Sequence, residues 1–422
     1  MSTQEQKISL ETSESAVLPE QMPRQIKTGL ILLSCCVGLL MTGFGIIVPV
    51  FPQRLESLGL GAGMLATMEG AFGLGMLLFS TPMGTLADRI GRKPVVLLSL
   101  AGFILTNIVL ALVNVPLVFV LIRFIEGVLV SGLFPASSAM VGDTVPVERQ
   151  GRWIGLLTTA QAAGIALGPA IGGFLYQAWG FSAPFLICAG IAVVASLLAF
   201  LMLPETLPAQ VREQTRERKA AKGQGRKMAV DPSMRISPLL RGFALLLLLD
   251  VGLAFIYPFV LPQYPFFFEK VLHYGAAQYG LIYSAYGLSL AVFPILLGRA
   301  GEVFPKKHLV VVGSALSAML NVAMLLLHNY ALLIIASLLT GLGSALLIPA
   351  LGVIYLGATN DHNRSQIMGI RGTALSLGSL LGPLLLAIFA RWLAPEISFA
   401  IGALISIACA LLAIVAVKQP AR

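Results

Sequence analysis

GTLADRIGRKP (84–94) is a short polar turn between two long apolar runs, 64–85 and 94–113. Gly84 and Gly91 permit a tight reversal, while Asp88, Arg89, Arg92 and Lys93 offer charge-assisted contacts at a membrane edge. A helix needs about 20 apolar residues to cross hydrocarbon. Working outward from the turn, twelve such runs follow: 28–50, 64–85, 94–113, 116–142, 153–175, 182–203, 240–262, 275–297, 308–327, 330–357, 366–390 and 396–417. Barrel strands would alternate in polarity over about 10 residues, and that pattern is absent. The expected fold class is an all-α membrane protein of twelve transmembrane helices.

Composition supports this. Hydrophobic residues make up 57% of the 422 and charged residues 11%, against about 45–50% and 25% in soluble domains. The net charge of +9 is no nucleic-acid signature, because the basic residues sit in the links, where they set topology. One side carries Arg89, Arg92 and Lys93; Arg149 and Arg152; a cluster from Arg212 to Arg241; Arg299, Lys306 and Lys307; and Arg364. The other side has Arg54, Lys270 and Arg391. We therefore expect a multi-pass protein of the inner (cytoplasmic) membrane with both termini cytosolic. The expected organisation is a cytosolic tail 1–27, a six-helix half 28–203, a basic cytosolic linker 204–239, a second six-helix half 240–417, and a tail 418–422. Cys35, Cys36, Cys188 and Cys409 lie in apolar runs as small packing residues. No metal site, cofactor or nucleophile–base set is visible, which argues against an enzyme.

The halves repeat. Gly61, Gly73, Gly84, Gly127, Gly155 and Gly168 recur at one spacing as Gly275, Gly287, Gly298, Gly341, Gly369 and Gly382, and Pro135 and Pro169 as Pro349 and Pro383. An offset of six spans keeps both halves in the same orientation. Such parallel repeats, with a midplane site between them, are a transporter arrangement.

Three further motifs join the turn: GFGIIVPVFP (43–52) closing span one, RFIEG (123–127) in span four, and GIALGPAIGG (164–173) in span five. Together they resemble the major facilitator superfamily, specifically its twelve-helix drug–proton antiporter branch, from about residue 28 to 417. The resemblance implies a secondary active transporter that exports small amphipathic compounds in exchange for protons by alternating access. The alternative on the same scaffold is a dedicated proton-coupled exporter of one metabolite, siderophore or lipid. Carried over by residue, Gly84, Asp88, Arg89, Gly91, Arg92 and Asp143 are similar to the latch that holds the cytosolic face shut. Gly164, Gly168, Pro169, Gly172 and Gly173 are similar to the antiporter motif. This chain departs from the family at Glu126, where Gln is usual, and its first span lacks the acid some such exporters use.

Ionisable residues inside hydrocarbon are functional candidates, here Glu69, Arg123, Glu126, Asp250 and Arg371. At the repeat spacing their counterparts are Tyr283, Ser337, Thr340, Cys36 and Leu157, so the scaffold does not require the charges. Arg123 and Glu126 share a helix face at i,i+3, either as a static pair or as part of the coupling. Asp250 lies roughly 15 Å into span seven with no basic residue near it in sequence. It is expected to be the main proton carrier, or else a protonated helix–helix hydrogen bond. Glu69 lies nearer the outer face, and Arg371 is placed to snorkel to the cytosol. The aromatic run Tyr264, Phe266, Phe267 and Phe268 is expected to form an interfacial belt, with the deeper Phe255 and Tyr257 lining a substrate cavity. The expected partners are protons, the lipid bilayer and a small lipophilic, cationic substrate, with no nucleic acid and a monomeric state.

Overall fold

A computed structural model describes residues 23–207, 236–296, 304–357 and 364–417. Most of both tails and of the basic linker therefore lies outside the described residues, as do Gly298 and Arg299. The described chain is helical, with no strand among these residues. Eleven helices in it are long and apolar enough to cross a membrane, and Ala276–Leu296 is span eight, covering the remaining expected run, 275–297.

Spans one to three are Arg24–Ser57, Ala62–Ile90 and Arg92–Leu112. Span four is Pro116–Val130 continued by Leu133–Thr144, and spans five and six are Val147–Trp179 and Ser182–Met202. Span seven is Ile236–Val260, a break at 261–263, and then Tyr264–Lys270. Span nine is Lys306–Leu316 with Met319–Leu326, and spans ten to twelve are Tyr330–Gly357, Arg364–Phe389 and Pro395–Ala416. Prolines start the helices at Pro116 and Pro395, where the missing N–H is not needed. Others lie mid-helix, at Pro169 and Pro383, as buried membrane helices allow, and Pro258 stands in the last turn before the break at 261–263. Only glycine fits comfortably at the turn between spans two and three, where Gly91 has φ 112°.

Most buried apolar side chains of spans one to six form one core, which Phe266 of span seven joins. Phe51 at its centre meets Phe119, Phe181 and Phe185 edge-on at 5.2, 5.5 and 5.4 Å. A second core centres on Tyr264, Phe267 and Phe399 and takes in Val48 and Ala66 of the first half, and smaller clusters lie around Leu249 and Tyr355. The halves meet on the face away from the basic links. There Gly63 abuts Ala390, Gly173 abuts Ala276, and Gly287 abuts Ala166. The Ala170 N–H donates to Ser284 Oγ at 3.0 Å, and Lys270 pairs with Glu56 at 3.1 Å. Toward the basic face the same helices part: a Cβ built on Gly84, Gly155, Gly369 or Gly372 meets nothing within 4 Å. The contacts between the halves that these glycines and alanines make therefore lie toward the far face.

Candidate functional site: two buried charge clusters and a tyrosine-lined cavity

Two ionic clusters stand on helices of different halves. In the first half, span four holds Arg123 and Glu126 one turn apart, and span two brings Glu69 to them. Arg123 Nη1 donates to Glu126 Oε2 at 2.7 Å and Nη2 to Glu69 Oε1 at 3.1 Å. The guanidinium is 0% exposed and lies 4.3 Å from the Phe72 ring centroid, an aromatic face that favours a cation. One cation is thus shared by two carboxylates. Arg123 Nε has no partner among the described residues.

The second cluster is a simple pair. Arg371 Nε on span eleven donates to Asp250 Oδ2 on span seven at 3.1 Å. Its guanidinium lies 4.8 Å from the Tyr355 ring centroid, and Tyr355 stacks on Phe243. The clusters differ in depth. Glu69 and Arg123 are seven residues from the far-face ends at Ala62 and Pro116, whereas Arg371 is seven residues from the basic-face end at Arg364. At 1.5 Å per residue, each lies roughly 10 Å below its own face.

Asp250 and Arg371 line a cavity of about 310 Å³ within the second half. Tyr257, Tyr264, Tyr283 and Tyr286 form much of its wall. Tyr257 and Tyr286 stack with centroids 5.4 Å apart. The Tyr264 hydroxyl bonds Asn321 Oδ1 at the closed end, while Ile348 and Leu375 on the opposite wall are exposed.

At the basic face, Arg92 ties the turn together. It bonds Asp88 one helical turn back, and its Nε reaches Asp143 Oδ2 at the end of span four at 3.4 Å. Thr206 Oγ1 also donates to Asp143 Oδ2, at 3.0 Å. The Glu205 carboxylate accepts the N–H groups of Arg92 and Lys93 at 2.9 and 3.3 Å. It caps the start of span three, where a negative group is favoured. Sequence reading passed over Glu205 and Thr206; their position after a long apolar run is the signal that marks them.

In span five, Gly164, Gly168 and Gly172 face span one. A Cβ on any of them would lie within 3 Å of Gly38–Thr42, Gly45 or Ile46 atoms. Gly173 instead faces Ala276 and Ala277 of span eight, and the Pro169 carbonyl abuts Gly280. Small residues here bring three backbones together.

A family model described as the Major Facilitator Superfamily matches residues 33–275 and 259–422. This chain belongs to that superfamily. Among its relatives, Multidrug resistance protein 2 of Bacillus subtilis (strain 168) is 24% identical over 364 residues, covering 85% of this chain and 88% of that protein. The multi-drug resistance efflux pump PmrA of Streptococcus pneumoniae serotype 4 is 27% identical over 361 residues, covering 82% and 86%. Among solved structures, the D-xylose-proton symporter superposes with a TM-score of 0.71 at 17% identity, covering 91% of this chain and 96% of that one. A bacterial homolog of the human lysosomal transporter Spinster, inward-facing and unoccupied, gives 0.71 at 14%, covering 93% and 96%. The major facilitator fold and family make this chain a multi-pass membrane transporter rather than an enzyme.

Within this superfamily member several expectations need correction. Asp250 is not unpartnered, because Arg371, remote in sequence, folds back onto it. Arg371 accordingly does not snorkel. Tyr264, Phe266, Phe267 and Phe268 form no interfacial belt: they are 3%, 5%, 2% and 0% exposed, because after the break at 261–263 Tyr264, Phe267 and Phe268 pack on Phe399 and Tyr279 and Phe266 joins the core of the first half. Tyr257 lines the cavity, whereas Phe255 stacks on Phe259 at 5.0 Å and is not part of the lining. Tyr283, Ser337 and Thr340, met earlier only as repeat counterparts of Glu69, Arg123 and Glu126, all line it.

Proposed function

We propose that the protein exports small amphipathic compounds across the cytoplasmic membrane in exchange for protons, the halves 28–203 and 240–417 rocking to give alternating access. The observation that carries this reading is the Glu69–Arg123–Glu126 triad. One guanidinium satisfies one carboxylate's charge, so one acid is in excess in a desolvated site, and a proton is the smallest ligand that removes the imbalance. Binding a proton there and a substrate in the tyrosine-lined cavity in alternate states gives antiport by linkage. The names of the relatives at 24% and 27% identity, multidrug resistance protein and efflux pump, support export of drug-like compounds.

Asp250 and Arg371 then have a different task. The pair is locally neutral and marks the polar end of a largely apolar cavity, where it orients a ligand. The volume is at the lower end of the ~300–1,000 Å³ usual for ligand sites, which favours compact substrates. Counting all five buried groups, three acids face two cations. The remaining excess of one negative charge supports a mild preference for lipophilic cations. The turn around Asp88, Arg89 and Arg92, here bonded within its own half, serves as the latch when the basic face closes. We take the basic face as cytosolic and the monomer as the working unit. Proteoliposomes loaded with a lipophilic dye test the reading: an imposed pH gradient should drive the dye uphill, and collapse of the gradient should stop it.

A further inference from the structure

Spans one and five leave a groove on their outward side that none of the roles above uses. At the basic face it is a hollow of about 960 Å³ whose wall includes Lys27, Arg149, Arg152, Trp153 and Thr159. Ile31 and Leu156 border this hollow and also a narrower cleft of about 280 Å³, which continues upward past Cys35, Ala160, Ala163 and Leu167. From Leu156 to Leu167 span five rises roughly 17 Å. Ile31, Leu156 and Leu167 are apolar and 51%, 39% and 55% exposed, so this side of the seam presents an uncovered apolar surface. The side chains of Lys27, Arg149 and Arg152 make no ion pair among the described residues. Trp153 sits beside them, at the depth where indole rings favour the interface.

A cationic hollow at headgroup level, continuous with an apolar cleft, matches one kind of molecule. We propose that the groove holds a single anionic phospholipid, its phosphate between Lys27, Arg149 and Arg152 and one acyl chain along the cleft toward Leu167. A free phosphate would use the hollow but not the cleft, and a zwitterionic lipid would bring its own cation to a site that already has three. The cleft runs along the seam where Gly38 meets Ala160 and Gly164, so a bound lipid fills space beside the helix contact that Gly164 creates.

Native mass spectrometry of the purified, delipidated full chain tests this, titrating phosphatidylglycerol against phosphatidylcholine of matched acyl chains. The expected result is one phosphatidylglycerol adduct, formed at a concentration at least fivefold lower than the phosphatidylcholine adduct. Lys27→Gln/Arg149→Gln/Arg152→Gln should erase the preference. Ala163→Phe, which leaves every charge in place, should weaken phosphatidylglycerol binding by filling the cleft, and it decides the matter if the triple variant does not fold. Equal binding of the two lipids, or a preference that survives both variants, would overturn the proposal. So would displacement of the lipid by millimolar inorganic phosphate, which would assign the hollow to a free anion.

Discussion

The two halves repeat one scaffold yet carry their buried charges at different places. In the first half Glu69, Arg123 and Glu126 meet at 3.1 and 2.7 Å; at the matching positions the second half has Tyr283, Ser337 and Thr340, which line a cavity. In the second half Asp250 and Arg371 pair at 3.1 Å; the first half has Cys36 and Leu157 there, both buried. Each half therefore folds without the other's charges, and structural need alone does not explain either cluster. The difference in stoichiometry separates their roles. Two acids on one cation leave a site that a proton can balance, whereas one acid on one cation is already balanced.

The sharpest way to break this comparison is to remove the shared cation. Arg123→Gln leaves two carboxylates facing each other in an apolar site. We expect a loss of about 3–5 kcal/mol of stability, the usual consequence of stripping one partner from a buried ionic cluster. A fall in the thermal midpoint of the purified variant, together with loss of transport, would register it. Arg371→Gln should be milder, because Arg371 is 15% exposed where Arg123 is 0%. If the two variants lose equal stability, the clusters are not energetically distinct.

Next come the acids. Glu126→Gln or Glu69→Gln removes the excess charge and should abolish uphill efflux while sparing downhill exchange. Asp250→Asn instead leaves Arg371 without its anion. It should weaken substrate affinity several-fold while coupling persists, as binding and pH-gradient assays on one preparation would show. A double-mutant cycle between Asp250 and Arg371 should return about 1–3 kcal/mol of coupling. A value near zero would mean that the contact does not matter in the membrane.

This ranking reverses what sequence alone suggested, and the reason is physical. The spans, the repeat and the Arg123–Glu126 pair were legible because they are local: apolar length, constant spacing and helical periodicity. The contacts of Glu69 with Arg123 and of Arg371 with Asp250 were not, since they join residues 54 and 121 apart in sequence. The aromatic run after Pro258 was misread for a similar reason. Its composition suits a membrane interface, and only the break at 261–263 reveals that Tyr264 and Phe267 turn toward Phe399. The motif glycines of span five were legible because close helix contact is a local demand of small residues.

Smaller effects remain. Asp88→Asn should lower turnover several-fold with little change in stability or substrate affinity, since Arg92 keeps Asp143. Wild-type turnover would remove the latch from the account. The smallest expected effect is substrate charge: a single excess negative charge should favour a lipophilic cation over an anion of equal size by a few-fold, read from efflux of matched dyes.

The most direct measurement is pH-gradient-driven accumulation of a dye in proteoliposomes, comparing wild type, Glu126→Gln, Glu69→Gln and Asp250→Asn. If the triad holds the exchanged proton, both Glu variants lose uphill transport but equilibrate dye downhill, while Asp250→Asn still concentrates it at reduced affinity. If Asp250→Asn alone loses uphill transport and both Glu variants keep it, the proton belongs to the second half and the assignment made here is wrong.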